Sequence, residues 1–158
     1  MSKPVASVTG GVSGIGLALT KHLLGKSYRV VMVDVNTKLG DQVQKQLGSS
    51  TMFHRTDVSI YEEQAVMFKT AFGWHQRLDF FTANAGIADK QNMYDRNEED
   101  DENGLVKPLN VKAMQADLDS ILQAVWIFKY YARKNPRRGG KIVITSSMSD
   151  CAALWLLT

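Results

Sequence analysis

A doubly wound α/β fold with a parallel sheet is predicted by three observations. Short apolar runs recur along the whole chain, amphipathic helical stretches separate them, and a glycine-rich turn joins the first run to the first helix. The 158 residues suffice for one domain, taken as residues 1–158, and the 44% apolar and 22% charged content is that of an ordinary packed protein. The predicted strands are Val5–Val8, Val30–Val33, Thr51–Phe53, Leu78–Phe81 and Ile142–Ile144. Runs this short, mostly β-branched or aromatic and bounded by Gly or Asp, suit strands buried on both faces. Between them, Ile15, Leu19 and Leu23 share one helical face, Leu39, Val43 and Leu47 a second, and Tyr61, Ala65, Phe68 and Phe72 a third. A fourth helix, roughly Val111 to Lys134, carries Met114, Leu118, Ile121, Val125 and Phe128 on one side. Leu122, Trp126 and Tyr130 extend its apolar surface onto a neighbouring face, so this helix is expected to touch more than its own sheet. Right-handed crossovers then give a parallel sheet with helices on both faces.

Composition excludes several classes of function. One cysteine, Cys151, supports neither a disulfide framework nor a multi-cysteine zinc site, and His22, His54 and His75 lack ligand spacing, so no metal is expected. The net charge of +3 comes from dispersed basic residues. The nearest cluster, Arg133-Lys134 with Arg137-Arg138, falls where a helix should end, the usual place for cations, so no nucleic-acid partner is expected. Met1-Ser2-Lys3-Pro4 leads straight into an apolar strand without a secretory h-region, and no apolar run approaches bilayer length. A cytoplasmic protein with no membrane partner is the expectation. The acidic stretch within 89–107 reads as a solvated loop.

Thr9-Gly10-Gly11-Val12-Ser13-Gly14-Ile15-Gly16 occupies the turn between the first strand and the first helix. Such a turn lets backbone approach a diphosphate closely while the helix N-terminus presents free N–H groups to it. Gly10 permits the tight turn, Gly14 and Gly16 permit close approach, and Ser13 offers a hydroxyl donor. Asp34, at the end of the second strand, is placed to accept both hydroxyls of an adenosine ribose and to repel a 2′-phosphate. NAD is therefore expected over NADP. The alternative for Asp34 is a residue that merely ends the strand or caps the next helix.

The spacing TGxxxGIG, the Asn84-Ala85-Gly86 triplet after the fourth strand, Asp57-Val58 after the third, and Gly140-Lys141-Ile142-Val143-Ile144-Thr145-Ser146-Ser147 together resemble the short-chain dehydrogenase/reductase family. The likeness runs from Val5 to Ser147 and is to the compact, single-domain kind with a Rossmann-like fold. It implies an oxidoreductase interconverting a secondary alcohol and a ketone, including members of specialised biosynthetic pathways. It implies that Asp57 meets the adenine amino group, that Val58 offers a backbone N–H, that Ile15 belongs to the cofactor turn, and that Asn84 braces the fourth strand. The plainer readings are a helix cap for Asp57 and support of a tight turn for Asn84. Ser147 matches the serine that hydrogen-bonds the substrate oxygen, with Ser146 as fallback, and Asp117 stands where the family has an asparagine on the fourth helix.

The resemblance places the family's YxxxK tyrosine and lysine beyond Thr158, so this chain is expected to be shortened before that motif and its sheet incomplete at the C-terminal edge. Tyr130 and Tyr131 precede the serine strand and do not stand in. A bare fifth-strand edge and a bare fourth-helix face are then expected to favour aggregation or a homo- or hetero-oligomeric contact through that helix. The rival to an active enzyme is a catalytically deficient dinucleotide-binding or partner subunit. A nucleotide-fold methyltransferase shares the glycine turn but leaves Asn84-Ala85-Gly86 and the serine strand unexplained.

Overall fold

A computed structural model describes residues 2–86, 111–145 and 156–157, the side chains of 111–114, 116–117 and 156–157 excepted. The elements run β1 (Val5–Thr9), α1 (Gly14–Gly25), β2 (Arg29–Asp34), α2 (Thr37–Leu47), β3 (Thr51–Arg55), α3 (Tyr61–His75), β4 (Phe80–Ala83), α4 (Val111–Ala132), β5 (Lys141–Ile144) and β6 (Leu156–Leu157). The sheet order is β3-β2-β1-β4-β5-β6, and the first five strands are mutually parallel. This is the doubly wound, Rossmann-like α/β fold.

Strand β2 shows why the apolar runs are unbroken. Val31 and Val33 pack with Met67, Phe68, Phe81, Ile127 and Phe128 on the α3/α4 face. Val30 and Met32 pack with Val12, Leu23 and Val43 on the α1/α2 face. Alternate side chains thus enter opposite cores, and each needs to be apolar. The close approach of α2 depends on Gly40, where an added Cβ would lie 2.3 Å from the Phe53 ring.

Four details differ from the sequence expectation. Strand β4 starts at Phe80 rather than Leu78, because Leu78 has its N–H and carbonyl engaged by the Asn135 side chain. Strand β6 pairs antiparallel with β5, Ile142 opposite Leu157, so two residues of the expected open edge are covered. Ile15 and Tyr61, expected on buried stripes, are exposed at the starts of α1 and α3. Leu118 is exposed with Leu122, Trp126 and Tyr130, while Ile121, Ala124, Val125, Ile127 and Phe128 form the packed face of α4.

Candidate functional site

The strand order reverses between β1 and β4: β2 follows β1 on one side of the sheet and β5 follows β4 on the other. A crevice opens there. After Thr9 the chain turns through Gly10, which takes φ +64°, and enters α1 at Gly14. Ser13 precedes the helix with extended backbone, and its hydroxyl makes no capping bond. The first closing bond of the helix runs from the Leu17 N–H to the Ser13 carbonyl, so the earlier amides of the turn lack helical acceptors. Gly16 lies just behind this mouth, where an added Cβ would sit 2.1 Å from the Gly10 carbonyl oxygen and 2.8 Å from Asn84 Nδ2.

Thr9 joins this turn to β4. Its hydroxyl donates to the Thr82 carbonyl at 3.1 Å and accepts the N–H groups of Asn84 and Ala85 at 2.9 and 3.0 Å. Asn84 Nδ2 returns a bond to the Thr9 carbonyl at 3.1 Å. Asn84 therefore braces the ends of β1 and β4 against each other, beside the glycine turn.

The opposite wall is electrostatic. Asp34 Oδ1 accepts the Asn36 N–H at 3.0 Å, and Asn36 in turn caps α2 by accepting the Leu39 N–H. Arg55, in register with Asp34 across β2 and β3, is drawn away to Glu63 at 2.6 Å. The same Glu63 oxygen accepts the Asp57 N–H at 2.7 Å. Asp57 Oδ1 accepts both the N–H and the hydroxyl of Ser59, at 2.9 and 2.7 Å. Asp57 is not the helix cap of its plainer reading, since Ile60 holds that position in α3 without a side-chain bond; it closes a turn on Ser59 with one oxygen, and among the described residues its other oxygen is unbonded.

These bonds shift ionisation in one direction. The Ser59 donors hold the Asp57 carboxyl below the usual carboxylate range, and the Asp57 N–H with Arg55 does the same for Glu63. Burial holds the His54 imidazole below its ordinary value. In each case the unfolded chain takes up the proton more readily, so folding stability is retained at high pH and lost as pH falls. A fall in melting temperature is expected to begin below about pH 6.5 with His54 and to steepen below about pH 4 with the carboxylates. Thermal melts from pH 8 to pH 3 read this directly; a melting temperature that rises on acidification contradicts it.

Glycine turn and acidic wall enclose a cavity of about 600 Å³. Gly10, Ser13, Gly14, Ile15, Asp34, Asp57, Val58 and Asn84 all line it, and Gly16 supports it from behind. Val35, Thr56 and Thr145 also border it, although sequence reasoning singled out none of them. Val35 had a readable signal, an apolar residue directly after the strand-ending aspartate; it is 58% exposed, as Ile15 is 71% exposed, both on the cavity wall. Ser146 and Ser147 lie outside the described residues, as do the Asp117 side chain and the 89–107 stretch. Tyr130 and Lys134 spell YxxxK and touch, with Nζ 2.7 Å from Oη. Yet Asn135, the next residue, is bonded to Leu78 at the entry of β4, which puts the pair at the end of the sheet remote from the cavity.

The residues present fit a dinucleotide. The Cβ-free backbone at Gly10 and Gly16 brings the strand end against the helix mouth, the Ser13 hydroxyl is unbonded within the helix cap, and two apolar side chains lie bare beside a carboxylate. The sequence matches the family described as short chain dehydrogenase over residues 4–153. The chain belongs to the short-chain dehydrogenase family. It is 31% identical over 146 residues to the short-chain dehydrogenase/reductase prx7 of Penicillium rubens, covering 89% of this chain and 50% of that protein. It is 35% identical over 147 residues to the short-chain dehydrogenase/reductase ascJ of Acremonium egyptiacum, covering 92% of this chain and 48% of that protein. A 3-beta-hydroxysteroid dehydrogenase of Comamonas testosteroni is 39% identical over 83 residues, 52% of this chain and 33% of its own length. The chain therefore spans about half the length of the first two of these relatives. Among the described residues no helix is long and apolar enough to cross a membrane.

Proposed function

We propose that this chain binds NAD at the β1/β4 crevice and contributes that site to an oxidoreductase interconverting a secondary alcohol and a ketone. The observation that carries the reading is the single cavity into which the glycine turn, Asp34, Asp57 and Val58 all converge. The amides of Gly14 and Ile15 and the Ser13 hydroxyl receive the diphosphate, Asp34 accepts the ribose hydroxyls, and Asp57 with Val58 takes the adenine edge. The nicotinamide, when bound, supplies or accepts the hydride. Ser147 holds the substrate oxygen by a hydrogen bond. NAD is favoured over NADP because the guanidinium of Arg55, in register with Asp34, is already paired with Glu63 and is not offered to a 2′-phosphate.

Calorimetric titration of the protein and of Asp34→Ala with NAD and NADP tests this. A lost charge-assisted bond of about 1.5–3 kcal/mol corresponds to an NAD affinity about 10–100-fold weaker in the variant, with NADP less affected. A wild-type protein that binds neither dinucleotide overturns the reading. A second reading, a dinucleotide-binding partner subunit, is favoured by the bare α4 face of Leu118, Leu122, Trp126 and Tyr130, spaced at i, i+4 along the helix. NAD binding without NADH oxidation against a panel of ketones selects that second reading.

A further inference from the structure

We infer that Gln64 is a positioning residue for the adenine end of the site, holding the Val58 peptide in place from α3; the inference rests on the dinucleotide reading above. Gln64 lies in the first turn of α3 and is 1% exposed. Its Nε2 donates to two carbonyls, that of Val58 at 2.5 Å and that of Ser120 in α4 at 3.1 Å. One amide group therefore ties the loop that borders the cavity to the helix packed beside α3 on the same face of the sheet.

The arrangement has a cost that packing alone does not explain. With Nε2 committed to two carbonyls, Gln64 Oε1 is buried and has no hydrogen-bond partner among the described residues. The Gln64 side chain borders a small void of about 10 Å³ shared with Thr9, Met67 and Phe81. A buried acceptor left unpaired is unfavourable, and an apolar side chain of equal length would avoid it. What the amide provides instead is control of the Val58–Ser59 peptide. Glu63 already fixes the Asp57 N–H, and the Asp57 carboxylate fixes the Ser59 N–H. The Ile60 N–H holds the Asp57 carbonyl at 3.1 Å, in the same peptide as the Val58 N–H, and Gln64 restrains the peptide that follows through the Val58 carbonyl. Among the described residues no bond engages the Val58 N–H, and Val58 lines the 600 Å³ cavity. With its neighbours pinned, that N–H keeps a fixed direction toward the N1 acceptor of an adenine.

The test compares the full chain with Gln64→Met, which keeps length and volume but removes the donor. Two probes are titrated calorimetrically at low temperature, with folding confirmed by circular dichroism: NAD, and its hypoxanthine analogue, whose N1 carries a proton and accepts nothing. The expected result is a selective loss, NAD affinity falling about tenfold and affinity for the hypoxanthine analogue changing less than about twofold. A merely structural role lowers the melting temperature but leaves the two affinities, measured on folded protein, moving together. Equal changes for both probes, or no change for NAD, overturn the inference while leaving the dinucleotide site intact. Absence of NAD binding by the wild type overturns both. If Gln64→Met does not fold, Gln64→Asn, which keeps the amide but shortens its reach, is titrated against the same two probes, with the same selective loss expected and the same outcomes overturning it.

Discussion

Gly16→Ala is expected to lose dinucleotide binding and about 3 kcal/mol of stability together. The new Cβ would lie 2.1 Å from the Gly10 carbonyl oxygen and 2.7 Å from its carbon, and both contacts are with backbone. Backbone at the tip of a tight turn does not yield as a flexible side chain does, so the turn itself must shift. Its other neighbour, Asn84 Nδ2 at 2.8 Å, is the group that ties β4 to the Thr9 carbonyl, so relief in that direction breaks a second restraint. The loss corresponds to a melting temperature lower by about 6–12 °C for a chain of this size. Gly14→Ala separates the two effects. Gly14 has φ +48° but nothing within 4 Å of an added Cβ, so its stability cost is confined to backbone strain of about 1–2 kcal/mol. The space its methyl enters is the cavity itself, so NAD binding is expected to weaken well beyond what that strain implies. Thermal melts and calorimetric titration of both variants check the pair. A Gly16→Ala protein that melts like wild type shows that the turn is not held by this contact.

Much of this was legible because local chemistry and tertiary role coincide. The unbroken Val30–Val33 run is required by burial on both faces, and the glycine turn is recognisable because its backbone needs are written residue by residue. Asp34 and Asp57 stand out because a carboxylate at a strand end forms turns, and here the Oδ1 of each bonds a following N–H. The residues that escaped notice act at a distance. Gln64 and Asn135 are single polar positions in stretches whose periodicity says only that they belong to a helix or its end; their partners are 56 and 57 residues away. Tyr130 and Lys134 show the opposite failure of local reading, since the motif spacing and even the contact are present. The crossover geometry, which sends the end of α4 to the entrances of the strands, removes the pair from the site. Strand β6 was missed because two leucines carry no periodicity at all.

Asn135→Leu is expected to destabilise the fold by about 3–5 kcal/mol while leaving NAD affinity, measured on folded protein in the cold, unchanged. Asn135 is buried beyond the end of α4 and behaves as a substitute strand for Leu78. Its Oδ1 accepts the Leu78 N–H at 2.7 Å, and its Nδ2 donates to the carbonyls of Leu78 and Gly139, each at 2.8 Å. Leucine matches the volume but leaves the buried Leu78 N–H and carbonyl stranded, each costing about 1–3 kcal/mol, while the carbonyl of Gly139, an exposed residue, can turn to water. The corresponding drop in melting temperature is about 6–20 °C. Asn135→Asp isolates the cause. It retains an acceptor for the Leu78 N–H but turns an oxygen toward two carbonyls, so its carboxyl favours the protonated form and its folded pKa is raised. That variant's deficit is then smallest below the ordinary carboxyl pKa and grows as pH rises through the folded value, opposite in sign to the acid sensitivity of the parent chain. Melting temperatures of the three proteins at pH 4 and pH 7 distinguish a hydrogen-bond clamp from simple packing: if leucine and aspartate variants lose equally at both pH values, the clamp is not what anchors the entry of β4.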